Sequence, residues 1–321
     1  MQQQRGAQAD HYFMAGLPVS VCFLDENLRR QAAPAFQHLR TVEPSEPELT
    51  VYVAGALPQF ADLPRQLTAL GLGELAVLSL RLDGMELMVH RQGHVIGALD
   101  AAGRNACWLV LSATGMAYLD QAAPMHPLLS HWFAGRDRYL FHGAAVGVAG
   151  KGVVILGNGG AGKSTTALAC LEAGMQFVGD DRCLLSMAEV PAVYSLYGTA
   201  KLIDTARFPI LASDVDRKGM EKDEKAMYRL RRGELQQRFQ LQAILLAQIE
   251  DRLQSKIQPL NAKRGYLGLA SSAALHLPQF RRAALRCFNE AARRLPVYAL
   301  KLGSDIRSTP VVVRQLLFEL H

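Results

Sequence analysis

One short stretch constrains this 321-residue chain more than any other. It reads Gly157-Asn158-Gly159-Gly160-Ala161-Gly162-Lys163-Ser164, followed by Thr165. The spacing is Gly-x4-Gly-Lys-Ser in full, and its surroundings agree with it. Upstream, Gly152–Leu156 is a short apolar run of the kind that forms a buried parallel strand. Downstream, Ser164–Ala173 sets Ala167, Leu168 and Leu171 on one helical side, and Gly174 stops the helix. A strand, a glycine loop and a helix in that order call for an α/β sheet whose ligands bind at the carboxyl ends of its strands. Glycines let successive N–H groups turn inward on phosphate oxygens. The helix that follows adds its positive end. Lys163 supplies a mobile charge for β- and γ-phosphates, and the Ser164 hydroxyl suits Mg²⁺. Gly157 through Thr165 are therefore the candidate cradle for ATP with Mg²⁺.

Two acids extend that reading. Asp180 and Asp181 follow a second short strand, Gln176–Val178, and begin 17 residues after Lys163. In a parallel sheet such a strand ends beside the loop. One carboxylate there can hold Mg²⁺ and its neighbour can accept a proton from an attacking hydroxyl. His142, in Phe141-His142-Gly143, would by itself be read as a hydrogen-bonded core histidine.

The rest of the chain divides in two. Residues 1–130 read as a mostly β, largely antiparallel domain, suited to holding a substrate or partner. Its apolar runs are Leu17–Leu24, Leu49–Val53, Leu75–Leu82, Glu86–His90, His94–Leu99 and Cys107–Leu111, with turn signals at Asp83-Gly84 and Gln92-Gly93. A helix is expected around Phe60–Leu70. Residues 131–321 read as alternating strands and helices. Leu128–Phe141 should be a helix, and Leu241–Ile249 is strand or helix by periodicity alone. Phe280–Arg294 and Pro310–Leu320 should be helices, and Pro296–Leu302 a strand. Charge divides the same way: residues 1–130 sum to −4 with no lysine, and residues 131–321 to +10. An anionic partner for the basic half is implied. No helix-turn-helix, zinc-finger or aromatic RNA-binding signature is present, so nucleic acid is not expected. No run approaches the ~20 apolar residues of a membrane span, and the N-terminus lacks a secretory pattern. Five scattered cysteines without Cys-x-x-Cys spacing fit packed thiols in a cytoplasmic protein.

Taken together, His142-Gly143, the strand Gly152–Leu156, the loop, Ala167-Leu168, Gly174 and Val178-Gly179-Asp180-Asp181-Arg182 resemble the catalytic domain of HPr kinase/phosphorylase. That is a bacterial serine kinase whose phosphate-loop domain is similar to phosphoenolpyruvate carboxykinase. The resemblance covers His142 to Leu185 and implies roles. Lys163 would contact phosphates, Ser164 and Asp181 would bind Mg²⁺, Asp180 would be the general base, and His142 would sit beside Asp180 and tune it. The fold implied is α/β, a C-terminal phosphate-loop kinase domain preceded by a mostly β domain.

The chain departs from that family elsewhere. Its first half does not resemble the usual regulatory domain, and the glycine-rich signature after the acids is missing. In its place stand Tyr194-Ser195-Leu196-Tyr197-Gly198-Thr199-Ala200-Lys201-Leu202 and Asp223-Glu224-Lys225. These resemble a divergent branch that includes lasso-peptide precursor kinases. The acceptor expected is therefore a serine on a precursor peptide. HPr itself, a small molecule, or no acceptor at all, as in a nucleotide-gated ATPase, are the alternatives. Residues 217–238 carry 8 basic and 4 acidic side chains, and 252–294 carry 9 basic and one acidic. Lys201 and Lys225 are the candidates there for neutralising ATP or an acidic peptide. Self-association is left open.

Overall fold

A computed structural model of the chain describes residues 8–42, 45–55, 62–69, 71, 75–82, 85–92, 94–112, 114–202, 215–216, 226–230, 232–273 and 280–320. The turn positions Asp83-Gly84 and Gly93 lie outside the described residues, as do Phe60 and Leu70 at the ends of the expected helix and the whole Asp223-Glu224-Lys225 stretch. The chain forms two compact units, Met1–Trp132 and Phe133–His321.

The first unit is built on a seven-stranded sheet among the described residues. Its strands are β1 (Gln8–Met14), β2 (Leu17–Phe23), β3 (Leu49–Ala54), β4 (Leu75–Leu82), β5 (Met85–Gln92), β6 (Val95–Asp100) and β7 (Asn105–Val110), in the order β1-β2-β3-β7-β6-β5-β4. Four neighbouring pairs are antiparallel, but β2–β3 and β3–β7 are parallel. The departure from an all-antiparallel reading has a local cause. Parallel neighbours need a crossover, and α1 (Glu26–Ala32) with a 3₁₀ segment at Ala33–Leu39 supplies it between β2 and β3. Alternation then does the packing: Val19, Val21, Leu49, Val51, Ala106 and Trp108 share one face and are all buried. Helix α2 (Leu63–Ala69) falls inside the expected helical region, and α3 (Tyr118–Ala122) and α4 (His126–Ala134) follow the sheet.

The helix expected over Leu128–Phe141 ends instead at Ala134. Gly135 follows, the amides of Arg136 and Arg138 both turn back to the Phe133 carbonyl, and Asp137 takes φ 55°. Residues Tyr139–Phe141 are then strand β8, buried throughout.

The second unit layers helices on both faces of a curled mixed sheet. Its central strands are β9 (Ala144–Val148) and β10 (Lys151–Leu156), with α5 (Lys163–Glu172) after β10. The next strands are β11 (Gln176–Gly179), β12 (Cys183–Ser186) and β13 (Ala192–Ser195). A separate small sheet holds β14 (Thr199–Leu202), β15 (Val215–Asp216) and β16 (Ala226–Arg229). The long β17 (Arg238–Ile249) returns to the main sheet, followed by β18 (Lys256–Leu260), α6 (Ala262–Ala273), α7 (Arg281–Arg294), β19 (Val297–Leu302) and α8 (Ser308–Glu319). Periodicity left 241–249 undecided, and the structure shows why it is a strand. β17 lies parallel to β10 on one side and to β19 on the other, and both of its faces are covered. Along β10, Val153 and Ile155 face α5 and α8, while Val154 and Leu156 face α6 and α7. All four are fully buried, each contributing about 2 kcal/mol by the usual scale. That burial fixes the strand from which the glycine loop springs.

The seven-strand path β11-β9-β10-β17-β13-β12-β8 has an unusual closure. Its two ends belong to one antiparallel ribbon, in which β8 continues into β9 and β11 continues into β12. Below the break Phe141 pairs with Cys183, and above it Ala145 pairs with Gly179. Both strands cross the break in four steps, so the pairing keeps one register through it. Residues 142–143 and 180–182 form the open middle.

Candidate active site

The break in the ribbon is held against the end of β10 by Gly143. A Cβ there would stand 2.9 Å from the Ile155 carbonyl oxygen and 2.8 Å from the Phe141 ring, so only glycine allows the approach. The glycine loop leaves β10 beside this point. Gly157, Gly160 and Gly162 adopt φ of 152°, 78° and 90°, values that favour glycine. Gly162 is the N-cap of α5 and has no side chain with which to cap it. The first amides of that helix are thus left for an anion. Lys163 is 7% exposed, and its ammonium donates to the carbonyls of Gly157 (2.9 Å) and Asn158 (3.1 Å). The lysine is pinned across its own loop.

Loop and ribbon share a cavity of about 580 Å³. His142, Gly159, Gly160, Ala161, Gly162, Lys163, Ser164, Thr165, Asp180, Asp181 and Lys201 all contribute to its wall. Gly157 and Asn158 do not line it; they form the base of the loop that Lys163 grips.

The two acids differ. Asp180 is 3% exposed, and burial, with the Asp181 charge beside it, pushes its carboxyl up to about 6 despite a hydrogen bond from the Ser164 hydroxyl. One oxygen, Oδ2, accepts the Lys201 amide at 3.3 Å. The other, Oδ1, has no hydrogen-bond partner among the described residues. Asp181 is partly exposed and takes φ 69°. Burial would raise its carboxyl too, but the hydrogen bond from His142 and the charges of Lys201 and Arg182 hold it well below the usual carboxylate range. His142 Nδ1 stands 2.8 Å from Asp181 Oδ1, and Lys201 Nζ 3.7 Å from Asp181 Oδ2. His142 therefore pairs with Asp181, not with Asp180 as the resemblance implied. The left-handed backbone at Asp181 turns consecutive carboxylates in different directions. One acid of raised proton affinity with a spare oxygen and one firmly ionised acid then flank a phosphate loop. Such a set can take up a proton and hold a divalent cation through hard oxygen ligands.

Other wall residues carried no signal in the sequence. Ile249 and Glu250 come from the end of β17, Leu302, Gly303 and Ser304 from the end of β19, and Ile306 and Thr309 from the approach to α8 and its first turn. No motif marks them; strand order alone brings them there.

Residues 136–205 match the family model of the HPr serine kinase C-terminal domain. The HPr(Ser) kinase/phosphatase from Coxiella burnetii is a similar solved structure, 13% identical, with the alignment covering 56% of this chain and 97% of that one at a TM-score of 0.30. No curated protein matches the chain. Among the described residues no helix is long and apolar enough to cross a membrane. The stretch that holds His142, the glycine loop, Asp180 and Asp181 is thus HPr kinase-like.

Proposed function

We propose that the Phe133–His321 unit is an ATP- and Mg²⁺-dependent kinase that transfers the γ-phosphate to a serine hydroxyl of a peptide or small protein. The observation that carries this reading is the shared cavity. A glycine cradle with Lys163 faces a buried carboxylate, Asp180, whose Oδ1 has no partner among the described residues and whose proton affinity is raised. Asp180 takes the proton from the serine hydroxyl as it attacks. A carboxyl poised near 6 both accepts that proton and is mostly ionised at neutral pH. Lys163 and the loop amides hold the transferring phosphate and spread its charge. Ser164 and the ionised Asp181 are the oxygen ligands that fit Mg²⁺, which when bound neutralises the β- and γ-phosphates. His142 keeps Asp181 ionised and oriented, and Lys201 adds a second cation there. The mostly β unit selects the acceptor. The lasso-precursor resemblance favours a precursor peptide over HPr, and the protein would act in the cytoplasm.

The experiment is radiolabelled ATP with serine-containing peptides and HPr as separate acceptors. Label on a peptide serine supports the kinase, and label on HPr moves the acceptor to that protein. Free phosphate alone, with every acceptor unlabelled, would replace the kinase by an ATPase.

A further inference from the structure

The acids and the loop use one flank of the cavity. In the strand order β9-β10-β17-β19, the ribbon with Asp180 and Asp181 lies on the β9 side of the loop-bearing strand, and Glu250 and Leu302 lie on the β17–β19 side. The second flank touches the loop at its far end. Leu302 Cδ1 is 2.6 Å, and Ile249 Cγ1 3.9 Å, from where a Cβ on Gly162 would stand.

This flank is built and stiff. Glu250 pairs with Lys301 at 2.5 Å and with Arg252 at 3.5 Å, and its amide donates to the Leu302 carbonyl at 2.9 Å. The Lys301 hydrogen bond, with the Arg252 charge, lowers the Glu250 carboxyl and keeps it ionised. Gly303 donates to the Ser255 hydroxyl at 3.1 Å, which bonds Thr309 at 2.8 Å. Ile249 is left 68% exposed at the mouth, and Leu302 and Ile306 continue the apolar surface inward. An apolar wall beside one rigid carboxylate fits a flat ring bearing hydroxyl donors. A carboxylate accepts two neighbouring hydroxyls well, which is how acidic side chains hold ribose in other folds.

We propose that the β17–β19 flank is the nucleoside site. Ile249, Leu302 and Ile306 pack on the base, and Glu250 accepts hydrogen bonds from the ribose 2′- and 3′-hydroxyls. The assignment rests on the proposed use of ATP and adds which flank holds which part of it: nucleoside on the β17–β19 side, acceptor serine on the ribbon side.

Calorimetric titration of the full chain with ATP, 2′-deoxy-ATP and inorganic tripolyphosphate tests this. Wild-type protein should bind ATP about tenfold more tightly than 2′-deoxy-ATP, the worth of a hydrogen bond to a charged group. Glu250→Gln should weaken ATP about a hundredfold and 2′-deoxy-ATP about tenfold, erase that preference, and leave tripolyphosphate unchanged. Ile249→Ser, at an exposed position that folding does not need, should weaken both nucleotides several-fold and spare tripolyphosphate. Retained ribose preference in Glu250→Gln, or equal losses for ATP and tripolyphosphate in either variant, would overturn the nucleoside site. Failure of the ATP reading looks different: wild-type protein binds neither ATP nor tripolyphosphate, or Lys163→Ala binds both undiminished.

Discussion

Asp10 in β1 and Asp180 after β11 are both closed off from solvent, at 2% and 3% exposure. Asp10 is surrounded by cations. Arg29 grips it with two bonds, 2.8 Å to Oδ2 and 3.1 Å to Oδ1, and Arg40 adds a third at 2.9 Å. Asp180 has the Ser164 hydroxyl and a backbone amide at 3.3 Å on Oδ2 and, among the described residues, no cation bound to it and no partner on Oδ1. A buried carboxylate is costly unless opposite charges offset its lost hydration. In the first unit the offset is complete and local, so Asp10 ties β1 to α1 and to the end of the 3₁₀ segment. In the second unit it is withheld, so Asp180 retains an affinity for a proton. Burial alone does not distinguish an architectural acid from a reactive one; the partners do.

Exchanging each acid for its amide should separate the two roles. Asp180→Asn should reduce phosphate transfer to a serine peptide by ~10³-fold, the scale of a lost general base, while nucleotide binding persists. Radiolabel transfer beside equilibrium dialysis reads both, and near-normal transfer would remove Asp180 from the chemistry. Asp10→Asn should instead cost roughly 4 kcal/mol of stability, because two guanidinium groups lose their partner. Urea unfolding measures it, and a loss under 1 kcal/mol would break the contrast.

Stability should move the other way at Asp180. Its native carboxyl holds a proton up to about pH 6, whereas the unfolded chain releases it near 3.8. The native state thus binds more protons across that window, and wild-type stability falls as pH rises through it. In buffer free of metal and nucleotide, Asp180→Asn should be the more stable protein above pH 6, by up to ~3 kcal/mol, with the gap closing towards pH 4. Melting curves from pH 4 to 7 report it, and a gap that widens towards acid would reverse the sign. Asp181 contributes oppositely: its lowered carboxyl stabilises the fold above the unfolded value and is lost as acid protonates it. The smallest effect belongs to His142→Gln. It should lower kcat about tenfold without changing the KM for ATP, since His142 acts through Asp181.

Sequence legibility followed distance along the chain. The loop, its helix and the Asp180-Asp181 pair are local patterns, each decided by neighbours a few residues away. The partnership of His142 with Asp181 leaves no local trace, because it depends on a ladder joining Phe141 to Cys183, about forty residues apart, and on one positive φ. Ile249, Glu250, Leu302 and Ser304 were invisible because β17 and β19 meet only through sheet order. The overextended helix at Leu128–Phe141 shows apolar residues serving two periods in turn: Leu128, Leu129 and Trp132 on a helix, then Tyr139–Phe141 on a ladder.

The register of the ribbon shifts once, at a bulge between Phe177 and Gly179 beside the break, and then holds across the break itself. Four steps separate Phe141 from Ala145, and four separate Gly179 from Cys183. Without such a bulge, one inserted residue would turn half of a strand over and send the buried Tyr139 and Phe141, or Ala145 and its neighbours, to the other face. Most binding sites diversify by lengthening loops. This one has a bulge at its edge instead, where one residue more is taken up while the side chains at 142–143 and 180–182 stay between paired strands.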